Sequence, residues 1–199
     1  MVIPASVLSD GLALQDDRII RLLSNLAADD FACLELVMTL SAPLLMRYSA
    51  FLVLEQTPVE YVTDKTFAYA FESRSSYVPE KGGIAYLLRI CRSFGTKTAD
   101  CQRRDAKCPT SPRLVEAIGA DPRPADGYMQ LLKANLSRLH PDEEEMLYLR
   151  FGLGLDYGRI GSIVGRDEVS VRAVVHGFLR ETARLLKKQR EKDTWDRGD

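Results

Sequence analysis

Apolar side chains recur at spacings of three and four along most of this chain, and no segment alternates cleanly between apolar and polar residues. The first spacing lines one stripe of a helix, whereas a half-buried strand needs a period of two. An all-α fold is therefore expected. Residues 12–26 place Leu14, Ile19, Leu22, Leu23 and Leu26 on a short helix. Residues 31–54 carry one or two helices, with a bend expected near Pro43. Thr57 suits a cap for the next helix, with Pro58 at its first position and Glu60 in its first turn. Val59, Val62, Thr66 and Ala70 form its stripe. A loop from Ser73 to Gly83 comes next, and Ile84, Leu87, Leu88, Cys91 and Phe94 mark a further helix.

Residues 105–127 break the pattern. They hold Pro109, Pro112, Pro122 and Pro124, four of the nine prolines, and little periodic apolar content, which predicts an interdomain linker. A short helix around Arg113 to Ile118 is compatible with it. The expected organisation is an N-terminal extension (1–30), a helical bundle (31–105), a linker (106–127), a second small bundle (128–190) and a polar tail (191–199).

The second block is the more informative. Leu131, Leu132, Asn135, Leu136 and Leu139 line one helix. Pro141 starts another, with Asp142, Glu143, Glu144 and Glu145 in a first turn expected to be solvated, where carboxylates suit the positive end of the helix dipole. Gly152 and Gly154 end it. Tyr157 to Val164 is a short helix, Gly165 a turn, and Asp167 the N-cap of the last helix. At about 100° per residue, Val171, Val175, Phe178 and Leu185 share one face of that last helix, with Val174 beside them. Val169, Arg172, Ala173, His176 and Arg180 share the other, continuing toward Arg184 and Lys187. From Arg166 to Arg190 seven basic residues face three acidic ones, so this segment is locally cationic. A short helix, a glycine turn and a capped helix of this kind predict a helix-turn-helix suited to a major groove. The alternative is a plain amphipathic helix with a solvated face.

The helix from Ile84 has a similar character. Tyr86, Arg89, Arg92 and Ser93 lie away from its apolar stripe, and Lys97, Arg103, Arg104 and Lys107 continue the charge. Tyr77, Tyr86 and Phe94 are interleaved with these cations. Cations neutralise phosphates and aromatic faces stack unpaired bases. The same residues also fit a core phenylalanine, a half-buried tyrosine and solvated charges.

The formal net charge of −1 means that any nucleic-acid surface must come from such local segregation. No apolar run is long enough for a membrane span, and Met1 to Asp10 do not resemble a signal peptide. Cys33, Cys91, Cys101 and Cys108 are too few and too scattered for a disulfide framework, so a cytoplasmic setting is expected. Cys101 and Cys108 are too widely spaced for a CxxC pair. His140 and His176 stand far apart, and His140 fits a surface helix start. The glycines from Gly152 to Gly161 match neither GxGxxG nor a P-loop, and no serine sits in a GxSxG elbow. No catalytic, metal or cofactor site is expected, and the chain does not read as an enzyme.

The order of these features resembles that of the bacterial sigma factors of the extracytoplasmic-function group, over about Phe31 to Leu186. Val59-Glu60-Tyr61-Val62-Thr63-Asp64-Lys65-Thr66-Phe67 resembles the acidic AEDxVQEVF helix of that family, and Leu87-Leu88-Arg89-Ile90-Cys91-Arg92 its WLxRIAR stretch. Leu136-Ser137-Arg138-Leu139-His140-Pro141 is similar to LxxLPP, Leu147-Tyr148-Leu149-Arg150-Phe151 to LLLRY, and Gly154-Leu155-Asp156-Tyr157 to GLSY. Ile160 to Gly165 resembles EIAEILG, and Ser170-Val171-Arg172 the TVK of the recognition helix.

The resemblance implies a sigma factor that directs core RNA polymerase to promoter DNA in transcription initiation, possible regulation by an anti-sigma factor included. Glu60, Asp64 and Phe67 would contact polymerase. Tyr77, Tyr86, Arg89, Arg92, Lys97, Arg103 and Arg104 would engage the −10 element, and Arg166, Ser170, Arg172, Ala173, His176 and Arg180 the −35 element. Tyr86 stands where the family has tryptophan, and Val174 and Gly177 where recognition helices often carry arginine. Two other readings stay open: a free-standing helix-turn-helix transcriptional regulator, and a sigma-like interaction module without promoter activity.

Overall fold

The computed structural model describes the backbone of residues 5–53, 59–103, 131–132 and 134–195, and the side chains of 14–53, 59–97, 131–132 and 134–191. The expected cap at Thr57, the linker 106–127, its short helix, Cys108 and Arg104 lie outside these residues, as does the side chain of Cys101. Among the described residues every regular element is helical. The N-terminal half holds α1 (Ala5–Ala27), α2 (Cys33–Leu52), α3 (Val59–Glu72) and α4 (Ile84–Arg103). Two 3-10 turns, Arg74–Ser76 and Pro79–Lys81, join α3 to α4. The C-terminal half holds α5 (Pro141–Leu147), α6 (Tyr157–Val164) and α7 (Glu168–Trp195).

The apolar stripes read from the sequence go inward. Val62, Thr66 and Ala70 are buried on α3, and Ile84, Leu87, Leu88 and Cys91 on α4. Burial of a Val, Leu or Ile side chain contributes roughly 1.5–3 kcal/mol, so these stripes dominate the packing. Pro43 sits inside α2, which nonetheless runs as one helix from Cys33 to Leu52.

The region before residue 31 is a packed part of the fold. Ile19, Leu23 and Leu26 of α1 are buried. Asp16, 2 % exposed, accepts the backbone N–H groups of Gly83 (3.1 Å) and Ile84 (2.7 Å), so α1 supplies the N-terminal cap of α4. The other Asp16 oxygen accepts Arg159 Nη2 of α6 at 2.8 Å, which ties the first helix to the C-terminal half.

The two halves share one apolar core, to which α5 contributes Met146 and Leu147 and the turn after it Tyr148 and Leu149. Helix α5 ends in a π-helical turn, Tyr148–Gly152. There the Tyr148 ring stacks on Phe51 of α2 at 4.2 Å between centroids, and its hydroxyl donates to the Arg47 carbonyl at 2.9 Å. Arg47 Nη2 returns a bond to the Gly152 carbonyl at 2.5 Å.

Candidate nucleic-acid interface

The C-terminal face is built from α6, its turn and α7. Asp156 caps α6 by accepting the Arg159 N–H at 2.8 Å. Gly165 closes α6 in the left-handed region at φ 75°, a conformation that glycine adopts without a Cβ clash. Gly161 is required for a different reason: a Cβ there would lie 2.4 Å from the Arg166 carbonyl oxygen, so the turn can fold back on α6 only over a bare backbone. Asp167 then caps α7, accepting the Ser170 hydroxyl and N–H. The Ser170 hydroxyl bond, aided by the N–H, holds the Asp167 carboxyl below the usual carboxylate range.

Over its first three turns helix α7 divides as its sequence predicts, while Leu185, expected on the inner face, is only half-buried. Val171, Val175 and Phe178 are buried, whereas Val169, Arg172, Ala173, His176 and Arg180 are exposed. Val169 is 75 % exposed, an apolar side chain at the tip of a cationic face. Two further residues, absent from the sequence-based site, join this face. The Arg150 and Arg172 guanidinium groups lie 4.9 and 5.4 Å from the centre of the Tyr157 ring, and the Tyr157 hydroxyl is 3.3 Å from His176 Nε2. Arg150 and Tyr157 stand in the LLLRY-like and GLSY-like segments, but because they precede the turn no helical spacing signals that they meet α7. Arg172 also pairs with Glu168, and Ser170 is committed to its cap.

The N-terminal face is arranged differently. Tyr77 and Tyr86, which the resemblance would have engage the −10 element, are each only 8 % exposed. Their rings meet edge to face at 5.0 Å. The Tyr86 hydroxyl lies 3.2 Å from Ser73 Oγ, and the Tyr77 hydroxyl bonds the Gly82 carbonyl. The physical reason is that the Ser73–Gly82 segment folds over the start of α4, where Ile84 through Leu88 are all buried. Burial, with the charge of Asp16 adding to it, pushes the Tyr77 phenol up to about 12. Arg89 is half-buried beside the Lys81 carbonyl at 3.5 Å, and Lys97 is exposed. The side chains of Arg103 and Arg104 are outside the described residues.

Among the described cations of this set, Arg92 is the most constrained. Its Nε and Nη2 atoms donate to Glu145 of α5 at 2.9 and 3.0 Å, and Nη2 lies 3.6 Å from Asp142. Glu145 also accepts the Tyr48 hydroxyl. Asp142 in turn lies 3.5 Å from Arg166. Glu145 is 5 % exposed, which corrects the expectation of a solvated acidic turn. The reason lies far away in sequence, in Tyr48 and Arg92, which give a buried carboxylate the partners it needs. Burial and Glu145 together hold the Tyr48 phenol well above its ordinary range, and the Glu145 hydrogen bonds raise Arg92. His140 stays exposed and caps α5 in a reciprocal arrangement with Glu143.

Met38, Met46 and Phe67 line an apolar groove of about 300 Å3 between α2 and α3, together with Glu60 and Asp64. Glu60 and Asp64 are exposed, and Phe67 is buried in the groove wall at 7 % exposure. Among the described residues no helix is long and apolar enough to cross a membrane, and no three His, Cys, Asp or Glu side chains cluster as metal ligands would. Comparison with family models, with curated proteins and with solved structures finds no match to this chain.

Proposed function

We propose that this chain is a promoter-specificity subunit of the sigma factor type, which binds core RNA polymerase and DNA and catalyses no reaction itself. The observation that carries this reading is the division of α7: Val171, Val175 and Phe178 hold it to the body while Val169, Arg172, Ala173, His176 and Arg180 face outward. A helix held in this way can lie in a major groove, its small residues allowing close approach and its cations meeting phosphates and base edges. Arg150 and Tyr157 extend that face. Glu60 and Asp64, which help line the α2–α3 groove, suit a basic helix of polymerase. A cytoplasmic location accords with this role.

The test is a pull-down and run-off transcription assay with core RNA polymerase and genomic DNA fragments, comparing the chain with Arg172→Ala and with Glu60→Ala/Asp64→Ala. Polymerase capture with new transcripts is expected, the acidic pair lowering capture and Arg172→Ala lowering transcripts. Absence of capture would refute the reading.

A second reading, a free-standing helix-turn-helix regulator, is favoured by the burial of Tyr77 and Tyr86, which makes the C-terminal face the more open of the two among the described residues. It predicts double-stranded DNA binding of the same affinity with and without polymerase.

A further inference from the structure

The contact between α5 and the N-terminal half has an unusual composition for a core. Around the Phe51–Tyr148 stack and the buried Met146, Leu147 and Leu149, ionised and polar pairs join α5, the turn after it and α6 to the N-terminal half: Glu145 with Arg92 and Tyr48, Asp142 with Arg92, Arg47 with the Gly152 carbonyl, and Arg159 with Asp16. A buried ion pair adds little net stability compared with apolar packing of the same volume, because desolvation offsets the attraction. Contacts that open within a chain are the more polar ones.

Two carboxylates of one short helix also hold one cation from each candidate DNA face. Glu145 accepts the Arg92 fork through both oxygens, at 2.9, 3.1 and 3.0 Å, and Asp142 stands between Arg92 (3.6 Å) and Arg166 (3.5 Å). A guanidinium fork binds carboxylate and phosphate with the same bidentate geometry. The α5 carboxylates therefore occupy the positions that backbone phosphates would take at Arg92.

We infer that the α5 contact is a releasable clasp centred on Glu145, in which the carboxylates stand in for nucleic-acid phosphates and withhold Arg92 until the halves part. The withholding rests on the reading of Arg92 as a DNA contact; the clasp itself does not. Nucleic acid and Glu145 compete for the same guanidinium, so opening and binding are linked in both directions.

The experiment uses the full chain in three forms: wild type, Glu145→Gln and Arg47→Ala. Glu145→Gln keeps the shape and loses the charge. Arg47 is exposed on α2 and links the halves without belonging to the carboxylate set, so its loss leaves the core intact. Hydrogen exchange of the α5 amides reads opening. Fluorescence anisotropy with a labelled mixed-sequence single-stranded oligonucleotide of about 20 nucleotides reads binding. Both variants are expected to exchange faster in α5 and to bind the oligonucleotide about fivefold more tightly, as a shift toward an open population requires. Adding Arg92→Ala to either should remove the gain. Unchanged α5 exchange in both variants would overturn the clasp. Faster exchange with no gain in binding would overturn the withholding of a nucleic-acid cation. A gain in oligonucleotide binding by a chain that captures no polymerase would leave the clasp standing and remove the sigma reading alone.

Discussion

Helices α4 and α7 begin from the same ingredients, an apolar stripe and a cationic opposite face, and end in different environments. On α7 the stripe is buried and the opposite face is open, since α5 and α6 cover one side only. On α4 five consecutive residues, Ile84 to Leu88, are buried. Helices α1, α2, α3 and α6 all pack on α4, and the Ser73–Gly82 segment closes over Tyr86. Amphipathic spacing says which side of a helix is apolar. It does not say how many neighbours the helix has, and that number decides whether an arginine or tyrosine on the far side meets solvent.

The sharpest way to break this comparison is at Glu145. Removing one partner of a buried ion pair leaves the other charge uncompensated, at a cost of about 3 kcal/mol once the 26 % exposure of the Arg92 side chain is allowed for. Glu145→Ala should therefore lower the urea midpoint substantially, and the double variant Glu145→Ala/Arg92→Ala should recover part of the loss. Additive losses would show that the pair is not coupled.

Cys91 tests the same seal by pH. Burial pushes its thiol from the ordinary value near 9 up to about 11, against the opposing hydrogen bond with Ser49. The unfolded chain therefore ionises this group first. Stability from keeping the thiol neutral is fully present below about pH 9 and is lost as pH rises through about 11, by about 2–3 kcal/mol in all. The raised Tyr48 acts in the same direction. Thermal midpoints measured from pH 8 to 11, as an approximate span, should fall more steeply for the wild type than for Cys91→Ala. Equal slopes would mean that solvent reaches this end of α4.

What can be read from the sequence depends on the range of the interactions. The all-α class, the helix from Tyr157 to Val164, the Gly165 turn and the Asp167 cap are local, since each is set by residues within a few positions. The inner face of α7 is likewise a matter of spacing. Glu145 looks solvated in the sequence because its partners, Tyr48 and Arg92, lie 97 and 53 positions away, and no periodicity encodes such a pairing. The role of Asp16 is hidden in the same way, since it caps a helix 68 positions later. Tyr77 and Tyr86 look like base-stacking residues in sequence because burial by a loop leaves no mark on helical spacing.

On the open helix the expected effects are smaller. Gly177 lies inside α7, and a Cβ there would meet nothing within 4 Å. Gly177→Ala should therefore raise stability by about 0.5–1 kcal/mol, the ordinary cost of glycine in a helix interior. A loss in the urea midpoint instead would mean that this side of α7 is covered, which would erase the contrast with α4.

The smallest effect on folding is expected at Arg172, and it is the most telling for the comparison. Arg172 is exposed, and its pairing with Glu168 is a surface i,i+4 contact. Arg172→Ala should shift the unfolding free energy by no more than about 0.5 kcal/mol. If α7 enters a groove, the same substitution should weaken binding to a double-stranded fragment about tenfold. A base contact would relax preference at one position of the site, whereas a phosphate contact would weaken all sequences alike and lower the salt slope by about one. Measuring affinity at several salt concentrations separates the two. A variant that is both as stable and as tightly bound as the wild type would remove Arg172 from the interface and leave Arg180 and Arg166 to account for it.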